Sequence, residues 1–248
     1  DAEKQVASLA PVQSLQSSAL KDTPAARDCY LLAGEPQSLQ GFAGVYLPKI
    51  DAKAALTACA QAVNENPNDG MLINLLGRAH EADRNYTEAH RNYQKAADLG
   101  DMYALTNLGW LSVYGLDGAV DVEKGRQMFE KAANAGNHSG QASLAFLYRD
   151  GYGGVQQDYN KAIDWYTKAA NQGNASALGN LGWFYREGVG VTRDYQKSVE
   201  YYRKGAEAGD LSSIAAMGYA AQNGLGIPQN YDEARTWYEK GANAGDAY

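Results

Sequence analysis

Three histidines, two cysteines and a set of glycine-rich turns are the residues here whose types could carry chemistry. A metal site or a histidine-based catalyst needs partners at fixed spacing. His80 and His90 lie ten positions apart with no cysteine or paired carboxylate at ligand distance, and His138 stands alone. The turns Gly151-Tyr152-Gly153-Gly154, Gly188-Val189-Gly190 and Gly224-Leu225-Gly226 would cradle phosphate only after a strand and before a Lys-Ser/Thr pair, and they have neither. Paired acids such as Asp232-Glu233 suit the first turn of a helix, where they offset its dipole. Cys29 and Cys59 fit either a disulfide or two buried free thiols, and two cysteines alone leave both open. No catalytic, cofactor-binding or metal-binding set emerges, and the chain reads as a non-enzyme.

The elements carrying these residues repeat. Gly100, Gly136, Gly173, Gly209 and Gly245 stand 36 or 37 residues apart, each after a KAANQ-like segment and before Asp or Asn. A fixed period of this length marks stacked supersecondary units. The second half of each unit sets an Asn or Asp, a small residue four on, an aromatic eight on, then small residues at eleven and twelve, as in Asp158/Ala162/Tyr166/Ala169/Ala170. Those offsets keep one face of a helix inward, with the leading residue as N-cap and the closing glycine as left-handed stop. The first half carries a small residue after an apolar one: Gly77, Gly109, Ala145, Gly182 and Gly218. Glycine inside a helix costs about 1 kcal/mol, so its recurrence predicts close approach of the partner helix.

These units, typified by LGWFYREGVGVTRDYQKSVEYYRKGAEAGD, resemble Sel1-like repeats, and the shorter NLLGRAHEADRNYTEAHRNYQKAADLGD is similar to a tetratricopeptide repeat. The resemblance covers roughly residues 68–245 and implies an all-α fold, a right-handed α-solenoid of helix-turn-helix repeats at 68–100, 101–136, 137–173, 174–209 and 210–245. The second unit departs most, with Ser112 where later units have Tyr148 and Tyr185, and Leu116–Val120 in its turn. Ahead of the array, residues 1–22 read as a tether, Thr23-Pro24 as a helix start, and Glu35 to Ile50 as a loop. The helix from Asp51 follows the second-helix template with Cys59 in the aromatic slot, so residues 23–67 form a degenerate first repeat.

The segment from Cys29 through Cys59 to Ala79 is similar to the cysteine-bounded cap ahead of Sel1-like repeats in bacterial envelope and secreted proteins, and this implies a Cys29–Cys59 disulfide and a periplasmic or secreted location. In tetratricopeptide proteins the positions three before, one after and four after the small residue face a concave groove. Carried over, they also fall on Glu81, Val113, Ala142, Gly179 and Ala215, and the candidate binding residues among them are Asn74, Arg78, Thr106, Trp110, Phe146, Arg149, Trp183, Arg186, Tyr219 and Gln222. The aromatics fit either a binding strip or packing between repeats, whereas arginines resist burial and fit the groove, the alternative being that they only pair with Asp150 or Glu187.

With a net charge of −7 and scattered Lys and Arg, no nucleic-acid partner is expected. No eighteen-residue apolar run crosses a membrane. The expected partner is a protein or extended peptide in the groove of a non-catalytic interaction scaffold. Regulation or positioning of a cell-envelope enzyme is the alternative, and β-lactam binding or hydrolysis, associated with some cysteine-rich relatives, a remote one. The pattern breaks off after Gly245-Asp246, so continuation of the chain or self-association through the last repeat is expected.

Overall fold

The computed structural model describes residues 23–34 and 50–244. The tether at 1–22, most of the loop after Glu35 and the Gly245–Tyr248 junction lie outside the described residues. Among the described residues there are twelve α-helices and no strand: α1 Pro24–Ala33, α2 Ala52–Glu65, α3 Gly70–Ala82, α4 Tyr86–Asp98, α5 Met102–Tyr114, α6 Val122–Asn134, α7 His138–Asp150, α8 Tyr159–Asn171, α9 Ala175–Glu187, α10 Tyr195–Glu207, α11 Leu211–Asn223 and α12 Tyr231–Ala244. They fall into two compact units, the first ending at Ala89 and the second starting at His90, within α4.

The first unit is held by small residues and one covalent bond. Thr23, Asp51 and Asp69 cap α1, α2 and α3 with side-chain oxygens, and Pro24 opens α1. Ala26, Ala33, Ala55 and Ala62 are buried against Leu72 and Leu75, so the three helices pack closely around Cys29 and Cys59. The two sulfurs are bonded, with the α-carbons 4.6 Å apart and both residues fully buried. A bond between helices separated by 30 residues replaces the aromatic ring that fills the same slot elsewhere.

In the second unit, consecutive helices form hairpins whose inner surfaces are shaped by one recurring contact. A Cβ placed on Gly182 would stand 2.6 Å from the ring of Tyr202, one on Gly218 would stand 2.6 Å from Tyr238, and Phe129 crowds Gly109 in the same way. The glycine is thus the socket for the next helix's ring, which explains its cost to helix propensity. Tyr93, Phe129 and Tyr166 are almost completely buried. Burial pushes the Tyr166 hydroxyl far above its ordinary pKa, so it stays neutral.

Capping runs through both halves of each hairpin. Asp121, Asp158 and Asp194 accept from the backbone of α6, α8 and α10. The Asp or Asn after each closing glycine caps the first helix: Asp101, Asn137, Asn174 and Asp210 accept from Ala104, Gly140, Ala177 and Ser213. The closing glycines Gly100, Gly136, Gly173 and Gly209 hold positive φ, 82° at Gly173, which lets the chain reverse there. The deviant second turn keeps the backbone bridge of the others: Asp121 N–H donates to Ser112 at 2.8 Å, as Asp194 does to Tyr185 at 2.8 Å. The bridge uses main-chain atoms only, so Ser112 serves as well as tyrosine.

Two stability predictions follow from this architecture. Removing the bridge in Cys29→Ala/Cys59→Ala should cost roughly 3–4 kcal/mol on the loop-entropy account, read by urea unfolding of the oxidised protein against the variant; an unchanged midpoint would make the bond incidental. Tyr166→Ala should cost about 3–5 kcal/mol by opening a cavity in a packed hairpin, while Lys168→Ala, whose ammonium rests over Trp165 at 3.8 Å on the surface, should cost less than about 1 kcal/mol. Equal losses would refute the helix phase.

Candidate functional site

The histidines do not converge on a site. His90, on α4, pairs with the Asp117 carboxylate and so ties the second turn to the preceding helix. His138 lies 2.8 Å from the Tyr103 hydroxyl and accepts from the Asn174 amide at 3.0 Å, a cross-link of three successive repeats. Asn174 Oδ1 already caps Ala177 at 2.8 Å, so its nitrogen faces the ring. Among the described residues no group of three or more His, Cys, Asp or Glu could hold a metal. One Ser-x-x-Lys string of the kind used by β-lactam-reactive enzymes, Ser18-Ala19-Leu20-Lys21, lies outside the described residues and lacks its companion motifs in the sequence.

The groove positions divide by depth. Asn74 and Arg78, in the first unit, are buried, with Arg78 only 7% exposed. That departs from the expectation that arginine stays at the surface; its long methylene stem allows it to lie along a core. Thr106 is buried too, and its hydroxyl contacts the capping Asn137 of the following repeat at 3.4 Å. Gly179 meets the capping Asp210 in the same place, where any Cβ would collide with the carboxylate. The position three before the small residue is therefore a joint between neighbouring repeats, a role invisible to a count of spacings within one unit.

Trp110 packs on Phe129 and Phe146 with centroids 4.9 and 5.4 Å away, and stacks on Tyr114 at 5.3 Å. These rings serve as inter-repeat packing. Phe146 is overlain by the Arg149 guanidinium at 5.2 Å, and Arg149 also faces Trp183 at 6.0 Å. Arg149 donates from Nε and Nη2 to Asp150 at 2.6 and 2.8 Å and from Nη1 to Asn180. Every nitrogen of this guanidinium is committed. Arg186, its counterpart one repeat later, is bonded through Nε to Glu187 at 2.6 Å.

Beyond Arg149 the surface opens into a cavity of about 1210 Å³, lined by Trp183, Arg186, Asp210, Tyr219, Trp237 and Tyr238 among others. Tyr219 is 49% exposed. Gln222 is exposed beside it and accepts from the Tyr238 hydroxyl at 2.9 Å. Burial raises the Asp210 pKa above the ordinary 3.8, opposed by donation from Ser213 to its carboxylate. Tyr202 is buried at the cavity wall and its pKa is pushed up to about 12, against the pull of nearby Arg186.

This is a tandem helical-hairpin repeat protein with an open groove over its later repeats. A sequence model of the Sel1 repeat matches residues 72–101, 103–137, 138–174, 175–210 and 211–246, and the chain belongs to that family. It is similar to a Sel1 repeat protein from Oxalobacter formigenes, at 28% identity and a TM-score of 0.65 over 79% of each chain. A protective antigen present in uropathogenic Escherichia coli strains is 32% identical with a TM-score of 0.60, matching 79% of this chain and 42% of that one. A putative Sel1 repeat protein from Klebsiella pneumoniae is 27% identical with a TM-score of 0.52, over 74% of this chain and 90% of that one. Proteins of this family mediate protein–protein interaction.

The electrostatics of the site are testable through stability. A carboxyl whose folded pKa is raised favours the protonated fold, so its contribution is present at low pH and lost as pH rises past the folded value. Asp210→Asn keeps the cap, as Asn137 and Asn174 do, and removes the charge. It should match or exceed wild type in melting temperature at pH 7, with the gap closing as pH falls toward about 4. Asp210→Ala, which loses the cap as well, should lie about 1 kcal/mol below Asp210→Asn at any pH. A wild type that gains on Asp210→Asn as pH rises would contradict this sign.

Proposed function

We propose that the chain is a non-catalytic interaction scaffold whose groove over α7, α9, α11 and α12 holds an extended segment of a partner protein. The observation carrying this reading is the cavity of about 1210 Å³, which joins Arg149, Trp183, Arg186 and Tyr219 of three successive repeats into one continuous strip. Repeats set side by side turn positions 36 or 37 apart in sequence into neighbours, the arrangement one extended ligand can span. Aromatic residues and arginine are the types that dominate binding energy at interfaces. The committed bonds of Arg149 make it a brace for this strip, so the energy of capture falls on Trp183, Arg186 and Tyr219. The disulfide suits an oxidising compartment and supports a periplasmic or secreted location, where the scaffold would serve or position an envelope enzyme.

Screening the intact protein against random dodecapeptides, acetylated and amidated at their ends, tests the groove directly. Binding should be weakened at least roughly tenfold by Tyr219→Ala, with the melting temperature almost unchanged because the ring is half exposed. Peptides that bind Tyr219→Ala and wild type equally, or a library that yields none, would overturn the assignment.

A further inference from the structure

Four charged residues line the cavity: Arg149, Asp150, Arg186 and Asp210. Arg149 and Asp150 neutralise each other at 2.6 Å, and Arg186 is neutralised by Glu187 at 2.6 Å. Among the described residues no cation pairs with Asp210, whose recorded donors are the backbone and hydroxyl of Ser213. The uncompensated charge in the cavity is therefore a single negative one. Arginine content alone would suit carboxylates, but with both guanidinium groups paired the cavity favours a cation.

The charge on Asp210 exceeds what its structural duty requires. Asn137 and Asn174 cap the equivalent helices with neutral amides at 2.8 Å each, so an amide suffices there; Asp101 caps α5 with a carboxylate as Asp210 does, but of the two only Asp210 lines the cavity. In the fifth repeat a carboxylate takes that place under partial burial, and Gly179, without a side chain, leaves the space beside it open to the carboxylate. Partial burial of an unpaired carboxylate is a cost that an incoming cation relieves. The walls suit the same guest. One repeat earlier the chain lays its own Arg149 guanidinium over Phe146 and Trp183, but Ala216 stands where Asn180 would anchor such a group, and no cation of the described residues covers Tyr219. Aromatic faces attract cations, and their apolar area accommodates the methylene stem of a long basic side chain.

Resting on the groove reading above, we propose that the partner segment is basic: a lysine or arginine side chain enters the cavity and pairs with the Asp210 carboxylate, while its stem and the adjoining residues lie along Trp183 and Tyr219. A single carboxylate among rings offers too few oxygens for a metal ion and matches one monovalent organic cation.

The same dodecapeptide selection reads the inference out separately. Peptides sensitive to Tyr219→Ala should share an arginine or lysine at one position. Replacing it by citrulline or glutamine should weaken binding to wild type by roughly tenfold or more. Asp210→Asn, with its cap retained and its melting temperature checked, should bind the charged and neutral peptides within about twofold of each other. Groove-dependent peptides with an acidic or uncharged consensus would overturn the basic-partner inference and leave the groove assignment standing. Undiminished preference for the cationic peptide in Asp210→Asn would do the same. Absence of any groove-dependent peptide would remove both.

Discussion

The repeat array depends on a ring from one helix lying against a small residue of its neighbour, glycine at 109, 182 and 218 and alanine at 145. Where Gly182 faces Tyr202 and Gly218 faces Tyr238, the missing side chain sets how closely the two helices approach. The ring fills that space and fixes the hairpin's crossing, and the alanines one turn later receive the next repeat. Helix propensity is sacrificed at the glycine, and packing returns more than the loss, because burying an aromatic side chain removes a large apolar area from water. In the first unit the same slot holds Cys59, too small to fill it, and a covalent bond to Cys29 supplies what contact area does not.

The period, the caps and the small-residue positions were legible in the sequence because each records a local constraint that recurs in every copy. An N-cap needs a short side-chain acceptor at one place, and the aromatic slot needs a ring at one phase of a helix. The depth of the groove positions was not legible, since it depends on what the next repeat places opposite. Thr106 and Gly179 carry the same offset as exposed groove residues in related folds, yet they meet the capping Asn137 and Asp210 of the following unit. Arg78 likewise shows that charge alone does not predict exposure when the methylene stem is long. The pairing of Arg149 and Arg186 with the acid directly after each, Asp150 and Glu187, was legible in the repeated Tyr-Arg-acid-Gly string.

Repetition also supplies an internal control that a globular domain lacks. Residues at equivalent positions share backbone, neighbours and helix phase, so a difference between copies isolates one variable. Arg149 and Arg186 occupy the same position; Arg149 holds Asp150 through Nε and Nη2 and Asn180 through Nη1, whereas Arg186 holds Glu187 through Nε and has Ala216 at the place equivalent to Asn180. Replacing Asn180 by Ala216 removes one of the anchors that make Arg149 a brace, and the bond to the following acid also falls from two nitrogens to one.

The capping position follows the same logic with opposite sign. Asn174 uses its oxygen to cap and its nitrogen to hold His138, so its two polar ends are both engaged in structure. Asp210 caps equally well, but its charge has no counterpart within the described residues and is carried under partial burial beside the cavity. Stability alone would favour the amide there, since capping is preserved and desolvation avoided. Asp101 shows that a carboxylate can serve as this cap elsewhere in the array; carrying one under partial burial next to an open aromatic-walled cavity is the pattern expected where binding and not folding sets the choice of residue.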